Sequence, residues 1–415
     1  MTSKTKSIPQ NSIFLPADRQ RGWKFPAGMK FRVRGKEGRL FRRLCISSLR
    51  KVYVEPTTRC NLDCTTCMRH SWDEPGGTMP MGTFHKLIQD LASVKTLERM
   101  AFWGIGEPLM HSGIVEMIKL AKTIGVRTEL ITNGMVLNAE LSRKLVLSGL
   151  DLLVVSVDGS TPASYSAIRC GADLNDLIRN IEHLNTCKSA LNLHTPEIGI
   201  ECVVSRKNIE ELPDLAEIAR RMKATRIYIS NVLPYTREDK ADILYWRTAG
   251  SPVTSNGPTG QASARVVLPR IDRRPEILEP LTDFLTRFNG MKTVPPQDAG
   301  RARCCPFVAK GGIAVRWDGE VSPCIPLMHS HSCFILDREK TVRRYSVGNV
   351  NRKTIDQIWK KQEYVTFRKR VIDFDFAPCN HCDCELAESN EEDCFGTPFP
   401  TCGDCLWAEG IIICP

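Results

Sequence analysis

Residues 51–67, "KVYVEPTTRCNLDCTTC", place three cysteines within eight positions directly after a short apolar run. The run is rich in β-branched and aromatic residues, which predicts a strand, so Cys60, Cys64 and Cys67 lie on the loop that follows it. A closed structural zinc site needs four protein ligands, and the triplet supplies three. Two interpretations stay open. Either His70 completes a Cys₃His zinc site, or the triplet holds a [4Fe–4S] cluster with one iron left open to a substrate or cofactor.

Outward from the triplet, short β-rich runs alternate with helical patterns. The runs are "KVYVE" (51–55), "MAFW" (100–103), "TELIT" (128–132), "LLVVSV" (152–157), "IGIECVV" (198–204) and "RIYIS" (226–230). Two intervening segments place apolar residues on one helical face, namely Phe84, Leu87, Ile88 and Leu91, and then Ile114, Met117, Ile118 and Ala121. Strands that alternate with helices predict parallel βαβ units. Six units are fewer than the eight of a closed barrel, so we expect an α/β fold with an open, partial (β/α)6 barrel and its ligands at the C-terminal ends of the strands.

The remainder of the chain has a different character. Residues 249–264 are rich in Gly, Pro, Ser and Thr, which predicts a loop, and a helical pattern follows. From Cys304 to Cys414 there are 11 cysteines in 111 residues. We therefore predict a basic N-terminal extension (1–49), the partial barrel (50–235), a linker or bridging segment (236–303) and a cysteine-rich α+β domain (304–415).

Composition limits the classes of function. The 415 residues carry a net charge of +10, partly in a basic segment near the N-terminus that we interpret as a solvated extension. No apolar leader or membrane-length apolar stretch occurs, so we expect a cytoplasmic protein without a membrane partner. Clustered cysteines in a reducing compartment favour metal ligation over disulfides. No recognised nucleic-acid motif accompanies the charge, which disfavours a zinc-organised nucleic-acid binder without removing that alternative.

The spacing C-x₃-C-x₂-C after a first strand resembles the signature of the radical SAM superfamily. The resemblance implies that S-adenosylmethionine (SAM) chelates the open iron through its amino and carboxylate groups. It also implies that one electron from the cluster cleaves SAM to a 5′-deoxyadenosyl radical, which abstracts a hydrogen atom. Thr66 departs from the pattern, because many members carry an aromatic residue before the third cysteine.

Further motifs follow the predicted strands in the order that this family shows. They are "WGIGEP", "TNG", "SVDG", "YSAIRCG" and "ISNVLP". The resemblance implies that they contact SAM: Gly104 and Gly106 by close backbone approach, Glu107 at the amino group, Asn133 nearby, Ser156 and Asp158 at the ribose, Arg169 at the carboxylate, and Ser230 and Asn231 at the adenine. Each motif alone is weak, and their order at strand ends is specific.

The C-terminal cysteines resemble the SPASM domain, in which cysteines bind auxiliary [4Fe–4S] clusters. The stretch "VRWDGEVSPC" predicts a hairpin with Asp-Gly at the turn, and Gly319 precedes Cys324 with the family's spacing. Two auxiliary clusters are expected, with ligands assigned by chain order. One takes Cys305, Cys324 and Cys402 with Cys304 or Cys333; the other takes Cys379, Cys382 and Cys394 with Cys405 or Cys414. A zinc ribbon remains the alternative, because C-x₂-C pairs occur at 379/382 and 402/405. The scattered Cys45, Cys170, Cys187 and Cys202 are expected to be buried small hydrophobes.

One loop and the C-terminal tail resemble a particular group within this superfamily. "RHSWDEPGGTMP" (69–80) and "LAESNEEDCFGTPFPTCGDCLWAEGIIICP" (386–415) resemble the radical SAM/SPASM maturases associated with tungsten-cofactor oxidoreductases. This implies an enzyme that modifies such an oxidoreductase, its cofactor or an associated peptide, with an electron donor such as ferredoxin or flavodoxin. The alternatives are modification of a ribosomally made peptide, and an iron–sulfur electron carrier without catalysis.

Overall fold

A parallel sheet organises the chain. The computed structural model describes residues 47–248, 265–288, 292–294 (backbone) and 305–414. Its first six strands are β1 Lys51–Val54, β2 Arg99–Phe102, β3 Arg127–Thr132, β4 Leu152–Ser156, β5 Glu197–Val204 and β6 Ala224–Asn231. Each neighbouring pair from β1 to β6 is parallel. The six strand predictions are therefore confirmed, each within two residues at either end.

Helices cover the outer face of this sheet. They are α1 Met81–Leu91, α2 Ile114–Thr123, α3 Ala139–Leu147, α4 Pro162–Ile168, α5 Leu174–Ala190 and α6 Leu215–Arg221. The apolar faces predicted for α1 and α2 are buried in the main core together with the outward residues of the strands. Burial of these apolar stripes against the sheet is the main force that holds such layers together. The partial-barrel prediction is confirmed.

The sheet extends beyond the six predicted strands at both edges. Five further elements belong to it: β7 Arg265–Val267, β8 Lys292–Val294, β9 Gly312–Val315, β10 Glu320–Ser322 and β13 Gly348–Asn349. The strand order is β13-β10-β9-β1-β2-β3-β4-β5-β6-β7-β8. Because β9 pairs in parallel with β1, the cysteine-rich segment continues the barrel sheet. The segment predicted as a linker supplies β7, β8 and the helix α7 Pro275–Arg287. The domain boundaries themselves stay predictions.

The cysteine-rich segment contains the predicted hairpin. Strands β9 and β10 pair antiparallel, and Gly319 in the turn has φ +86°, a left-handed conformation that suits glycine. The other elements of this segment are α8 Pro306–Ala309, a second hairpin of β11 His331–Ile335 and β12 Arg338–Val342, α9 Ile355–Lys360 and α10 Gln362–Asp373.

Several predictions concern residues outside the described part of the chain. These are the basic extension up to residue 46, the loop 249–264, and the cysteines at 45 and 304. Among the described helices, none is long and apolar enough to span a membrane.

Candidate active site

The cysteine loop leaves the C-terminal end of β1 and is anchored to the segment after α4. The amides of Asp63 and Thr65 donate to the carbonyls of Cys170 and Ile168, at 3.1 and 2.9 Å. The thiols of Cys60, Cys64 and Cys67 are partly exposed and form no disulfide. The loop therefore presents three accessible thiols at the end of the barrel where ligands of such folds bind.

Two side-chain donors lie close to the sulfurs of these cysteines. The guanidinium of Arg69 donates to the Cys67 sulfur at 3.3 Å, and the Asn133 amide lies 3.8 Å from the Cys60 sulfur. Burial raises the pKa of the Cys64 thiol to about 11, although the positive charge of Arg169 opposes the shift. Neighbouring thiolates repel each other, so a bound cationic centre would stabilise all three.

Glu107 lies at the centre of the second strand-end motif. It is 2% exposed, and its carboxylate accepts hydrogen bonds from the amides of Leu109 (2.9 Å) and Asn133 (2.7 Å) and the hydroxyl of Thr132 (2.7 Å). Burial raises its pKa, while those hydrogen bonds oppose the shift. A carboxylate offers about four acceptor positions, so one position is left for a ligand. Direct contact between Glu107 and SAM stays a prediction.

The glycines of this motif pack against the protein itself. A Cβ at Gly106 would lie 2.4 Å from the Thr57 carbonyl oxygen, and one at Gly104 would lie 2.4 Å from the Glu55 side chain. Glycine is therefore required so that the motif can pack beneath the cysteine loop. The structure explains both glycines without a ligand, and their part in SAM binding stays a prediction.

The polar residues after β4 form an ion pair with the next motif. Asp158, 1% exposed, accepts from the Val203 amide at 2.8 Å and pairs with the Arg169 guanidinium at 2.6 Å. Burial opposes ionisation of Arg169, but Asp158 raises its pKa above the ordinary value. Ser156 precedes this pair on β4 and is buried. The sequence treated Asp158 and Arg169 as separate SAM contacts, and the structure makes them partners.

Ser230 and Asn231, at the end of β6, hold the C-terminal tail. The Ser230 hydroxyl accepts from the Ile413 amide at 3.0 Å, and the Asn231 side-chain amide donates to the carbonyls of Ile411 (2.9 Å) and Arg270 (3.0 Å). Most side-chain polar groups of these two residues thus bind the tail, and the Asn231 side-chain oxygen is the exception. Contact between the adenine and the backbone around them stays a prediction.

Two buried atoms at this end of the barrel fit a bound SAM. Nε of Arg169 and the side-chain oxygen of Asn231 are buried and have no hydrogen-bond partner among the described residues. An unpaired buried donor suits a carboxylate and an unpaired buried acceptor suits an amino group. Because three accessible thiols lie at the same end of the barrel, the residues present fit a cluster and SAM.

Thr66 lines a cavity of about 10 Å³ between the cysteine loop and the ends of β5 and β6. Val203 and Val232 line it as well. The family's frequent aromatic residue is thus replaced here by a side chain that leaves a gap.

Eight of the C-terminal cysteines fall into two sets of four by their electrostatic influence on one another. The first set is Cys305, Cys324, Cys402 and Cys405, and the second is Cys379, Cys382, Cys384 and Cys394. Burial and the charges of the other three members raise the pKa of Cys324 in the first set. Burial, Asp404 and the charges of its three set partners raise the pKa of Cys379 to about 11 in the second.

These sets differ from the assignment by chain order. Cys405 belongs with Cys402, because its amide donates to the Cys402 carbonyl at 3.3 Å in one tight turn. Cys384, which the sequence interpretation left out, takes the fourth place in the other set. Cys414 packs against the same apolar cluster as Cys305 and Cys324. The Trp407 indole donates to its sulfur at 3.0 Å, and Glu201, Lys310 and Lys51 are its strongest charged neighbours. Cys333 is a buried thiol beside Lys340.

Metal ligation by both sets stays a prediction. No three His, Cys, Asp or Glu side chains in the described part of the chain converge on one metal-ion position. A [4Fe–4S] cluster does not require that convergence, since each thiolate binds a different iron. Of the four scattered cysteines, Cys202 is buried as expected, whereas Cys170 and Cys187 are partly exposed.

A buried cluster around His329 joins the barrel to the cysteine-rich segment, and no local sequence pattern predicts it. His329, 1% exposed, contacts both oxygens of Glu55 at 3.0 Å through Nε2 and Glu74 at 3.1 Å through Nδ1. Arg316 pairs with Glu74 at 2.7 Å, and Trp72 meets the imidazole edge-on at 4.5 Å between ring centroids. Glu55 also accepts from the Ile105 amide at 3.2 Å. The loop 69–80 thus docks on the second domain and supports the Gly104–Glu107 motif.

Both carboxylate contacts favour the imidazolium form of His329. Burial opposes protonation, but hydrogen bonds to Glu55 and Glu74 raise the pKa of His329. Burial likewise opposes ionisation of Glu74, but hydrogen bonds from His329 and the Ser330 amide, with the charge of Arg316, lower its pKa to about 2.

We expect His329→Asn to destabilise the fold by about 3 kcal/mol near pH 6, because it leaves two carboxylates without their cation. The raised pKa of His329 contributes stability that is complete below its unfolded value and is lost as pH rises through the folded value. The lowered pKa of Glu74 contributes stability that is lost as pH falls from about 4.5 towards 2. The melting temperatures of wild type and variant should therefore differ most between about pH 4.5 and the folded pKa of His329, and they should converge at alkaline pH. His85→Asn, at an exposed histidine, is the control; an equal gap at pH 6 and pH 9 would contradict the charged-histidine account.

We expect Glu107→Gln to weaken SAM binding about ten- to a hundredfold and to lower the melting temperature, because the amide repels one of three buried donors. Calorimetric titration of SAM into reconstituted protein, with iron content in parallel, measures this. Glu116→Gln, on the exposed face of α2, should change neither. Loss of the cluster with normal SAM affinity in the remaining loaded protein would make Glu107 purely structural.

Comparison with known proteins agrees with this geometry. The model of the Radical SAM superfamily matches residues 54–218, and that of SPASM, an iron–sulfur cluster-binding domain, matches residues 304–384. The tungsten-containing aldehyde ferredoxin oxidoreductase cofactor-modifying protein of Pyrococcus furiosus is 31% identical over 88% of this chain and 97% of its own length. The PqqA peptide cyclase of Rhodopseudomonas palustris is 29% identical over 44% of this chain and 47% of its own.

A solved structure shares the fold. SuiB of Streptococcus suis, bound to S-adenosylmethionine, superposes with a TM-score of 0.53 at 14% identity, covering 86% of this chain and 76% of that one. The full-length likeness to the Pyrococcus protein and the two domain matches go together with the cysteine loop and the strand-end motifs. The chain therefore belongs to the radical SAM superfamily as a SPASM-containing enzyme, with SAM and [4Fe–4S] clusters as its cofactors.

Proposed function

We propose that this enzyme is a maturase that modifies a tungsten-dependent oxidoreductase, acting on its cofactor or on an associated peptide. The observation that carries the proposal is the 31% identity to the Pyrococcus cofactor-modifying protein over 97% of that protein. The loop 69–80 adds support, because its Trp72 and Glu74 have a defined structural role against His329.

The chain's own residues have clear tasks in this chemistry. A bound [4Fe–4S] cluster would supply the single electron for reductive cleavage of SAM, and thus the radical that abstracts a hydrogen atom. Cys60, Cys64 and Cys67 hold the cluster, and the unpaired atoms of Arg169 and Asn231 orient SAM. The tail that Ser230 and Asn231 hold limits access of water to this end of the barrel.

The C-terminal cysteine sets serve electron transfer in this proposal. Thiolate-bound clusters can pass single electrons, whereas zinc has no redox chemistry. A small reduced carrier such as ferredoxin or flavodoxin is the proposed electron donor. Family membership removes the alternative of a non-catalytic iron–sulfur carrier.

A second candidate function is modification of a ribosomally made peptide. The likeness to the PqqA peptide cyclase supports it, although that match spans about half of each protein. The two candidates share the radical chemistry and differ in the substrate.

Co-expression tests the proposal. Each candidate oxidoreductase is purified anaerobically after expression with wild-type enzyme or with the Cys60→Ala variant, and its peptides and released cofactor are analysed by mass spectrometry. A mass change that requires the intact cysteine triplet supports the maturase. Unchanged oxidoreductase together with a modified small peptide would replace it with the second candidate.

A further inference from the structure

The inner face of the barrel carries several carboxylates, and all but one of those described here are already paired. Glu129 binds Lys51 at 2.7 Å and Arg99 at 3.2 Å. Glu197 binds Arg127 and Arg226, each at 3.0 Å. Like Asp158, these groups have fixed cations, so their charges are structural.

Glu201 is the exception. It lies on β5 with its neighbours Ile200 and Cys202 in the core beneath the helices, so its own side chain points to the inside of the barrel. Its carboxylate has no hydrogen-bond or ion-pair partner among the described residues, and it is only partly buried. Burial, and the nearby charge of Asp158, raise its pKa to about 7, against the opposing charge of Arg169. Such a group gains most from a ligand that donates hydrogen bonds to it.

The position of Glu201 is next to the SAM end of the barrel. Strand β5 lies between β4 and β6. In the sheet register, Glu201 stands opposite Ser156 on β4 and opposite Tyr228 on β6. On the tail, the charge of Glu201 is the strongest charged influence on the thiol of Cys414. The carboxylate thus lies between the strand-end motifs and the tail, where a substrate of this enzyme would meet SAM.

An aromatic and apolar wall adjoins the carboxylate. Trp103 and Tyr228 both pack against the small apolar cluster of Ile131, Leu152 and Val154. Gly199, two residues before Glu201 on the same face, packs closely on this wall, because a Cβ there would lie 3.1 Å from Val154. Flat aromatic surfaces of this kind stack on planar rings.

We propose that Glu201 binds the substrate through two adjacent N–H donors on a planar heterocycle, as on the aminopyrimidinone edge of a pterin. Neither oxygen of the Glu201 carboxylate has a partner within the described ranges, and two parallel N–H···O bonds to a carboxylate give affinity and orientation together. The wall of Trp103 and Tyr228 favours a ring over a chain. An arginine side chain presents the same paired donors without the fused ring. This inference names the substrate class of the proposed function and rests on it.

The test measures direct binding to the reconstituted, SAM-loaded enzyme by calorimetric titration. Free pterin and N-acetylarginine amide are titrated into wild type, Glu201→Gln, Glu201→Asp and the surface control Glu182→Gln. We expect Glu201→Gln to bind pterin about ten- to a hundredfold more weakly, since an amide cannot accept both donors, and Glu201→Asp to retain part of the affinity. SAM affinity and iron content should be unchanged in all variants.

Three outcomes overturn the inference. Pterin affinity that is equal in wild type and Glu201→Gln would show that the carboxylate does not meet the ring. If wild type does not bind pterin at all, the proposed ring site does not exist. Dependence on Glu201 seen only with N-acetylarginine amide would assign the site to a peptide side chain. Because no oxidoreductase is present in this measurement, failure of the co-expression experiment leaves its result standing.

Discussion

Replacing Cys60, Cys64 and Cys67 together with alanine is expected to abolish SAM cleavage and to remove about one third of the iron. The three thiolates are the smallest set that holds a cubane with one open iron, so without them SAM has no electron source. The auxiliary sets lie in a different part of the chain and should keep their iron. Formation of 5′-deoxyadenosine by the dithionite-reduced protein and iron per chain are the two measurements.

Cys170→Ala provides the matched control. Its thiol is partly exposed in the segment whose carbonyl anchors the cysteine loop, so the control probes local disturbance without removing a predicted ligand. We expect its iron content and SAM cleavage to equal those of wild type. If the triple variant keeps the full iron content of wild type, Cys60, Cys64 and Cys67 do not hold a cluster.

The local parts of the fold were readable from the sequence. Buried parallel strands are short continuous apolar runs, so β1 to β6 stood out, and the 3.6-residue period marked α1 and α2. The outer strands β7 and β8 were not predicted, because each is only three residues long. Strand β9 belongs to the predicted hairpin, but its parallel pairing with β1, some 260 residues earlier in the chain, was not predicted.

The residues of the candidate site also differ in whether a local sequence pattern reveals them. Cys60, Cys64 and Cys67 are recognisable because their ligand spacing is local. The Glu55–His329 contact joins residues 274 positions apart, and the Asn231–Ile411 contact joins residues 180 apart, so only the folded chain reveals them. Glu201 carries no motif at all. Its carboxylate is notable because it has no partner in the part of the chain that the structure describes. That can be recognised only when the contacts of the neighbouring residues are known.

The two C-terminal cysteine sets are expected to hold one [4Fe–4S] cluster each, so that the whole protein contains about twelve irons and no tightly bound zinc. The double variant Cys382→Ala/Cys384→Ala should lose about four irons, because it removes half of the ligands of one cluster. It should still form 5′-deoxyadenosine, since the SAM cluster is separate, but it should not complete substrate turnover. The Arg338 guanidinium, which bonds to the carbonyls of Cys379 and Cys382 and to Asp404, ties this set to the Cys402–Cys405 turn, so some loss of stability is expected too.

Cys414→Ala is the discriminating companion. Assignment by chain order allows Cys414 as a cluster ligand, whereas the structure pairs its sulfur with the Trp407 indole and completes both sets without it. We therefore expect Cys414→Ala to keep all of its iron and its cluster electron-paramagnetic-resonance signals after reduction. Loss of about four irons in Cys414→Ala would instead restore the chain-order assignment in which Cys414 is a ligand. About four irons with one or two zinc ions in wild type would instead make the second domain a structural zinc module, because zinc thiolate sites hold small domains together and carry no electrons.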